Sequence, residues 1–239
     1  TMTDIFSDPK EFYGRLKCKI VPDFTASLPF LVQSSRLTND KEMKMKRLTE
    51  AAEMVFAFNK YVYHPELGLY QHAQFTDKPA KLPFWSRGNG WALWAVTNIL
   101  SELPKNHPLY KKLLKHYREH VEGITAWQDK SGLWHNLLNV PESYLETSGT
   151  AIFTLCIARG IMNGWLNGKK YTPTVEKGWA GIETMIDEQY QVHGITVGTN
   201  GTTDINYYLE RPTALNDCHG LFPVIIAAIQ VDKLRSMNK

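Results

Sequence analysis

Apolar residues recur at helical spacing in seven stretches of this chain, and strand-like alternation is confined to the connections between them. The spacing predicts helices over roughly 24–36, 41–60, 88–104, 107–127, 147–166, 173–190 and 217–233. The clearest strand signal is "YQVHGITVGT", so the pattern predicts an all-α chain with small β excursions. Connection lengths alternate. Short ones such as "LTNDKE" and "LPKNHP" join helices into hairpins, whereas long ones follow residues 60, 127 and 190.

The long connections resemble one another. "HPELGLYQH", "QDKSGLWHN" and "YQVHGIT" place glycines at 68, 132 and 194, spacings of 64 and 62. Each leads through a polar loop into a helix that starts on small residues: "RGNGWALWAV", "ETSGTAIFTL" and "NDCHGLFPVI". A period of about sixty residues, each a helical hairpin plus a long loop, reads as an α/α array. Closing such hairpins into a ring buries the inner helices and gathers the loops around a common pit, where a rigid scaffold positions functional residues.

Composition narrows the picture modestly. Hydrophobic residues at 43% and charged residues at 21% of 239 are ordinary for a globular chain large enough to bury a sizeable core. A net charge of +3 argues against a nucleic-acid partner, and the basic run "KNHPLYKKLLKHYREH" has the spacing of a solvated helix face. Aromatics at 12% hint at a cleft that stacks on sugar rings. Cys18, Cys156 and Cys218 show no CxxC pairing, which argues against a disulfide framework or structural zinc. No run is long and apolar enough to span a bilayer, so no membrane partner is expected. Compartment and oligomeric state stay open.

"FWSRGNGW", "GLWHNLLNVPESYLETSGTAIF", "ARGIMNGWL" and "INYYLERPTALNDCHG", in that order, resemble the unsaturated glycuronyl hydrolases, glycoside hydrolase families 88 and 105. The resemblance runs from about Asp23 to the C-terminus. It implies an (α/α)6 toroid of the six-hairpin glycosidase type, incomplete in this chain, which holds about three and a half hairpins. The expectation is a single α/α-toroid domain over residues 1–239 that lacks N-terminal hairpins. Either those lie before residue 1 in a longer protein, or the protein is a naturally short relative.

The resemblance also implies an activity: removal of a terminal unsaturated uronic acid from oligosaccharides left by polysaccharide lyases. An acid protonates C4 of the enol ether, water adds at C5, and the resulting hemiketal opens and releases the remaining sugar. This differs from two-carboxylate attack at the anomeric carbon. It requires a carboxyl group able to donate a proton near neutral pH. No cofactor is implied, neither metal nor nicotinamide, and the partner is an oligosaccharide with an unsaturated uronic acid end.

In the rhamnogalacturonyl branch of the family, the acid follows a histidine and sits in a Trp-Ala-Asp stretch before a Trp-x-Arg-x-x-Gly-Trp helix start. Here the histidine is His72 and the stretch reads Phe75-Thr76-Asp77, which places Asp77 as general acid. Asp23 in "PDFTASLPFL" matches the second carboxylate, and the same residue suits a helix N-cap. Trp85, Arg87, Asn89 and Trp91 fall in the quoted motif as substrate-binding residues; "GNGWAL" lacks the third glycine of a dinucleotide site. Arg87 could instead hold the loop to carbonyls, and one of the two tryptophans could simply pack between helices. His135 and Arg159 match a His and an Arg that contact substrate, Arg159 being suited to the uronate carboxylate. Arg159 could equally satisfy a buried carboxylate such as Glu146, itself read as a helix cap. His219 in "NDCHGLF" starts another helix facing the same end.

Asp23, His72, Asp77, Arg87, His135 and Arg159 are therefore expected to converge on one pit. Two competing readings stay open: a non-catalytic relative that binds sugar or scaffolds a partner, and another toroid enzyme such as a sugar epimerase.

Overall fold

The computed structural model describes residues 18–20, 23–75 and 81–237, with no side-chain detail for residues 18–20 and 23–26. The helices are α1 (Asp23–Arg36), α2 (Lys41–Val62), α3 (Ser86–Glu102), α4 (Tyr110–Thr125), α5 (Thr147–Met162), α6 (Gly168–Glu183), α7 (Ile205–Leu209) and α8 (Cys218–Met237). Seven match the predicted stretches; α7, of five residues, was not anticipated. Local chemistry sets the boundaries. Asp40 caps α2 by accepting from the backbone N–H groups of Glu42 and Met43 at 2.9 and 3.1 Å. Asn167 caps α6, so that helix starts at Gly168 and carries Pro173 inside it, rather than starting at the proline as the spacing suggested. It also stops at Glu183, well short of the predicted 190, and the chain turns through Tyr190 in the left-handed region at φ 58°.

α1–α2, α3–α4 and α5–α6 are hairpins, and α8 begins a further unit. Cross-contacts fix their directions. Arg87 at the start of α3 donates to Ser148 at the start of α5, and Arg159 near the end of α5 reaches Asn98 near the end of α3. Arg36 at the end of α1 pairs with Glu102 at the end of α3. The inner helices α1, α3, α5 and α8 thus run parallel in one row, and the outer helices return antiparallel. Burial follows: α5 is buried without interruption from Thr147 to Ala158, as an all-round apolar helix must be, whereas α6 buries one stripe of Tyr171, Val175, Gly178, Gly181 and Ile182.

The long connections all lie over the N-terminal ends of the inner helices. Each carries a two-stranded ribbon: β2 (Tyr63–His64) with β3 (Leu69–Tyr70), β5 (Trp134–His135) with β6 (Leu145–Glu146), and β7 (Ile195–Thr196) with β8 (Thr213–Ala214). A fourth ribbon pairs β1 (Cys18–Ile20) with β4 (Ala73–Phe75). The repeat glycines have φ of 67° at Gly68, 95° at Gly132 and 69° at Gly194, a region L side chains rarely enter. A Cβ at Gly68 would stand 2.6 Å from the Glu119 carbonyl on α4, and one at Gly132 would collide with the Lys177 carbonyl on α6. The sixty-residue period therefore has a physical basis: each of these two turns lies directly on the backbone of the next outer helix.

One apolar cluster runs through all the hairpins. α1 and α8, at the ends of the inner row, face each other across a cavity of about 410 Å³ at the C-terminal ends of the inner helices, with Gln33, Arg36, Asn98, Arg159 and Gln230 in its wall. The inner row of the described residues is an open arc. No helix among them is long and apolar enough to cross a membrane.

Candidate active site

The site is built on two buried ions at the loop end. Glu146 precedes α5 and caps it, accepting from the N–H groups of Ser148 and Gly149 at 3.1 and 2.6 Å. It also accepts from the Ser148 hydroxyl at 2.6 Å and from Thr196 N–H at 3.1 Å, which ties β7 to the start of α5. Its oxygen lies 3.8 Å from Arg87, and both side chains are almost completely buried. Arg87 donates to the Thr196 and Val197 carbonyls at 2.5 and 2.9 Å and to Ser148 at 3.1 Å. Burial lowers the pKa of its guanidinium, while the charges of Glu146 and Asp217 push the other way. The buried carboxylate's partner is thus Arg87 and not Arg159, because Glu146 heads α5 and Arg159 is in its last turn.

Trp85 stands beside this pair. Arg87 Cζ lies 4.6 Å from the Trp85 ring, and His72 packs on the same ring at 4.5 Å between centroids. The indole N–H donates to Asn136 Oδ1 at 3.1 Å. His72 is buried, with Nδ1 at 2.7 Å from the Tyr208 hydroxyl. Burial, reinforced by the charge of Arg87, brings its pKa down to about 3. His72 Nε2 and Arg87 Nε are both buried without a hydrogen-bond partner among the described residues. Such atoms are uncommon in native structures and mark places where a ligand can complete the bonding.

Asn89, expected at the substrate, is engaged elsewhere. Its carbonyl accepts from Tyr70 N–H at 2.8 Å and faces His120 Nε2 at 3.2 Å. Its amide donates to the Tyr70 and Trp85 carbonyls at 2.8 and 3.0 Å. Two of these four hydrogen bonds hold β3 to α3, one closes the first turn of α3 on Trp85, and one meets α4. Trp91 is similarly occupied, stacked on Phe222 of α8 at 5.8 Å and 11°. His135 in β5 donates from Nδ1 to the Ser143 carbonyl, with Nε2 3.8 Å from Asp129. His219 in the first turn of α8 bonds Asp217 at 2.6 Å and keeps 43% of its side chain exposed, which leaves it accessible from the loop end. Asp217, Cys218 and His219 bring ligand atoms within 4.8 Å of one another, but they are consecutive residues and Asp217 is already bonded to His219.

Asp23 is the first residue of α1, which puts its backbone at the loop end of the inner row. Asp77 lies outside the described residues. Arg159 does not join the group. Twelve residues of helix separate it from Thr147, about 18 Å along the axis. There it makes one 3.4 Å contact with Asn98 in the wall of the far-end cavity. The expected convergence of six residues fails at this position, because motif order does not reveal which end of a helix a residue occupies.

Sequence reading missed Asn136 and Tyr208. Asn136 accepts from Trp85 and from the Thr196 hydroxyl, and donates to the Tyr208 carbonyl at 3.0 Å. Tyr208 sits in α7, whose signal was Asp204 in N-cap position before "INYYL". A polar layer behind the site also escaped notice. His116 Nε2 lies 2.7 Å from the Tyr70 hydroxyl, and His120 reaches Asn89; burial lowers the pKa of both, that of His116 to about 4.

Parallel inner helices backed by antiparallel outer ones, with loops gathered over the inner helix starts, define an α/α toroid of the six-hairpin glycosidase class. The chain belongs to glycosyl hydrolase family 88, whose sequence profile matches residues 25–235. It is 31% identical over 169 residues to an unsaturated 3S-rhamnoglycuronyl hydrolase of Alteromonas sp. (strain LOR), covering 68% of this chain and 40% of that protein. It is 32% identical over 150 residues to the unsaturated rhamnogalacturonyl hydrolase YesR of Bacillus subtilis, covering 62% of this chain and 42% of that one. The chain therefore spans less than half the length of these two curated relatives. A solved structure of a possible GH105 family member from Salmonella enterica superposes with a TM-score of 0.82 at 24% identity, over 92% of this chain and 57% of that one. At that identity the likeness speaks for the fold.

Proposed function

We propose that this protein is a glycoside hydrolase that removes a terminal 4,5-unsaturated uronic acid from oligosaccharides produced by polysaccharide lyases. The observation that carries the reading is the loop-end cluster of a family 88 chain. Beside Trp85, His72 and Arg87 present buried side-chain nitrogens without a hydrogen-bond partner among the described residues, and Asp23 opens the neighbouring inner helix. Two relatives named for hydrolysis of unsaturated rhamnoglycuronyl and rhamnogalacturonyl compounds support the substrate class.

In the proposed reaction a carboxylic acid delivers its proton to C4, and the electron pair of the C4=C5 bond forms the new C–H bond. Water adds to the cation at C5, losing a proton to a carboxylate. The hemiketal then opens at its C5–O5 bond to a C5 ketone, which leaves C1 a hemiacetal. Collapse of that hemiacetal to an aldehyde breaks the bond to the remaining sugar and returns a proton to its oxygen. Asp77 is the proposed acid and Asp23 the second carboxylate.

The test follows loss of the conjugated uronide's ultraviolet absorbance by the full-length protein, with unsaturated rhamnogalacturonyl and glucuronyl disaccharides and no added metal. Asp77→Asn keeps the shape but cannot deliver a proton, so turnover should vanish while binding persists. If Asp77→Asn is active and Asp23→Asn inert, the two exchange roles. A wild type inert on every unsaturated uronide overturns the reading.

A further inference from the structure

The hydrogen bonds around His72 decide which of its ring nitrogens carries the proton. Tyr208 is completely buried, and its hydroxyl oxygen accepts from the backbone N–H of Thr202 at 3.1 Å. Its other neighbour is His72 Nδ1, at 2.7 Å. Burial pushes the phenol up to about 12, so the hydroxyl keeps its hydrogen. Two arrangements satisfy the distances. In one, Nδ1–H donates to the phenol oxygen; the phenolic hydrogen then has no acceptor and Nε2 is an empty acceptor, leaving two buried groups unsatisfied. In the other, the phenol donates to Nδ1 and the ring proton sits on Nε2, leaving one group open. The second is favoured, because each unsatisfied buried polar group is costly.

The same frame orients the ring. An indole N–H can only donate, so Asn136 must turn its oxygen toward Trp85, and its amide nitrogen then donates to the Tyr208 carbonyl at 3.0 Å. Asn136 thus holds both the aromatic face under His72 and the helix that carries Tyr208.

We propose that Tyr208 is a positioning residue of the loop-end site: its hydroxyl fixes His72 as the Nε2–H tautomer, which serves as a neutral hydrogen-bond donor to an oxygen of the bound sugar. This rests on the reading of the loop end as the sugar site. His72 is then neither the acid nor the base of the reaction. The neutral form is the resident one, since burial and the Arg87 charge both oppose protonation of the ring.

The deciding measurement needs no substrate. Nitrogen NMR of the full-length protein labelled at histidine, with the His72 signals assigned from a His72→Gln variant, should show a protonated Nε2 and a bare Nδ1 that stay unchanged from about pH 8 to about pH 5. Tyr208→Phe keeps the ring and removes the hydroxyl, so the tautomers should mix and KM for the unsaturated disaccharide should rise about tenfold with kcat much less affected. His72→Gln carries a donor that needs no tautomer, so adding Tyr208→Phe to it should cost little more. A wild-type His72 protonated on Nδ1 overturns the proposal, whatever the activity, and so does a Tyr208→Phe protein with an unchanged tautomer. Loss of all turnover in His72→Gln with binding intact would make His72 a proton-transfer group and sink it as well. An Nε2–H tautomer in a protein inert toward every uronide would instead remove the proposed reaction and leave the tautomer assignment standing.

Discussion

Arg87 and Arg159 sit on neighbouring parallel helices, one in the first turn and one in the last, and their surroundings differ in almost every respect. Arg159 occupies the last turn of α5, where a cation complements the helix macrodipole, and its side chain makes a single hydrogen bond among the described residues, a 3.4 Å contact with Asn98. Arg87 occupies the first turn of α3, where the macrodipole opposes it, and it is completely buried. What holds Arg87 is a set of partners gathered from distant segments: two carbonyls from the connection before α7, Ser148 and Glu146. A cation at the unfavourable end of a helix, satisfied by two other segments, makes the loops depend on one another. Among the described residues, arginines that bridge segments at the far end, such as Arg36 to Glu102, Arg47 to the Ser34 carbonyl and Arg118 to the Trp165 carbonyl, are none of them buried, and short turns there are capped locally, as by Asp40 and Asn167.

That contrast breaks most visibly at Glu146. Glu146→Ala removes the cap of α5, orphans Thr196 N–H and leaves the Arg87 charge buried without its counter-ion. Breaking a buried pair from one side costs about 3–5 kcal/mol. Urea denaturation should show a loss of that size. A cost near 1 kcal/mol, the usual value of a lone N-cap, would show that Glu146 acts as a cap alone.

Acid should separate the two ends next. His72 and His116 titrate near 3 and 4 in the folded chain, against about 6.5 in an unfolded one, and His120 is lowered too. Above pH 6.5 both states are neutral and their contribution to stability is fully present. As pH falls below that value the unfolded chain takes up protons that the folded chain refuses, so stability falls by on the order of 1 kcal/mol per pH unit for each histidine. These three rings lie behind and beside the loop-end site, through Tyr208, Tyr70 and Asn89. Hydrogen exchange at pH 5 should therefore accelerate first in β2, β3 and the start of α3, ahead of the ends of α3 and α5. Uniform acceleration along α3 would remove the distinction.

Much of this layout was legible beforehand, and the reasons are local. The period of 64 and 62 residues survives because Gly68, Gly132 and Gly194 meet backbone conformations that hardly any other residue tolerates. Glu146 was readable as a cap because a carboxylate before "TSG" has free N–H groups within reach. The alternative reading of Arg87, as an anchor for loop carbonyls, matches its hydrogen bonds. What could not be read was depth and direction. Asn89 looks available in a polar motif, and only the fold brings Tyr70 and His120 to occupy it. Tyr208 meets His72 across 136 residues of sequence, a pairing no spacing rule reaches. Arg159 was assigned to the pit because motif order fixes sequence position and says nothing of which end of a helix twelve further residues reach.

The smallest expected effect belongs to Arg159, and it tests the comparison most directly. An arginine at the sugar carboxylate would make charge-assisted bonds, and losing it would cost roughly 1.5–3 kcal/mol of binding. An arginine about 18 Å from the start of α5, in the wall of a separate cavity, makes none of those bonds. Arg159→Ala should therefore leave KM for the unsaturated disaccharide within about twofold of wild type, since a twofold change is only about 0.4 kcal/mol. Its stability cost should be about 0.5 kcal/mol, the size of a lost charge–dipole interaction at a helix end. Steady-state kinetics and urea denaturation on the same preparation read both quantities. A KM raised about tenfold at unchanged stability would draw the far-end cavity into substrate binding. The two arginines would then serve one ligand, and the division of the inner helices into a working end and a structural end would have to be given up.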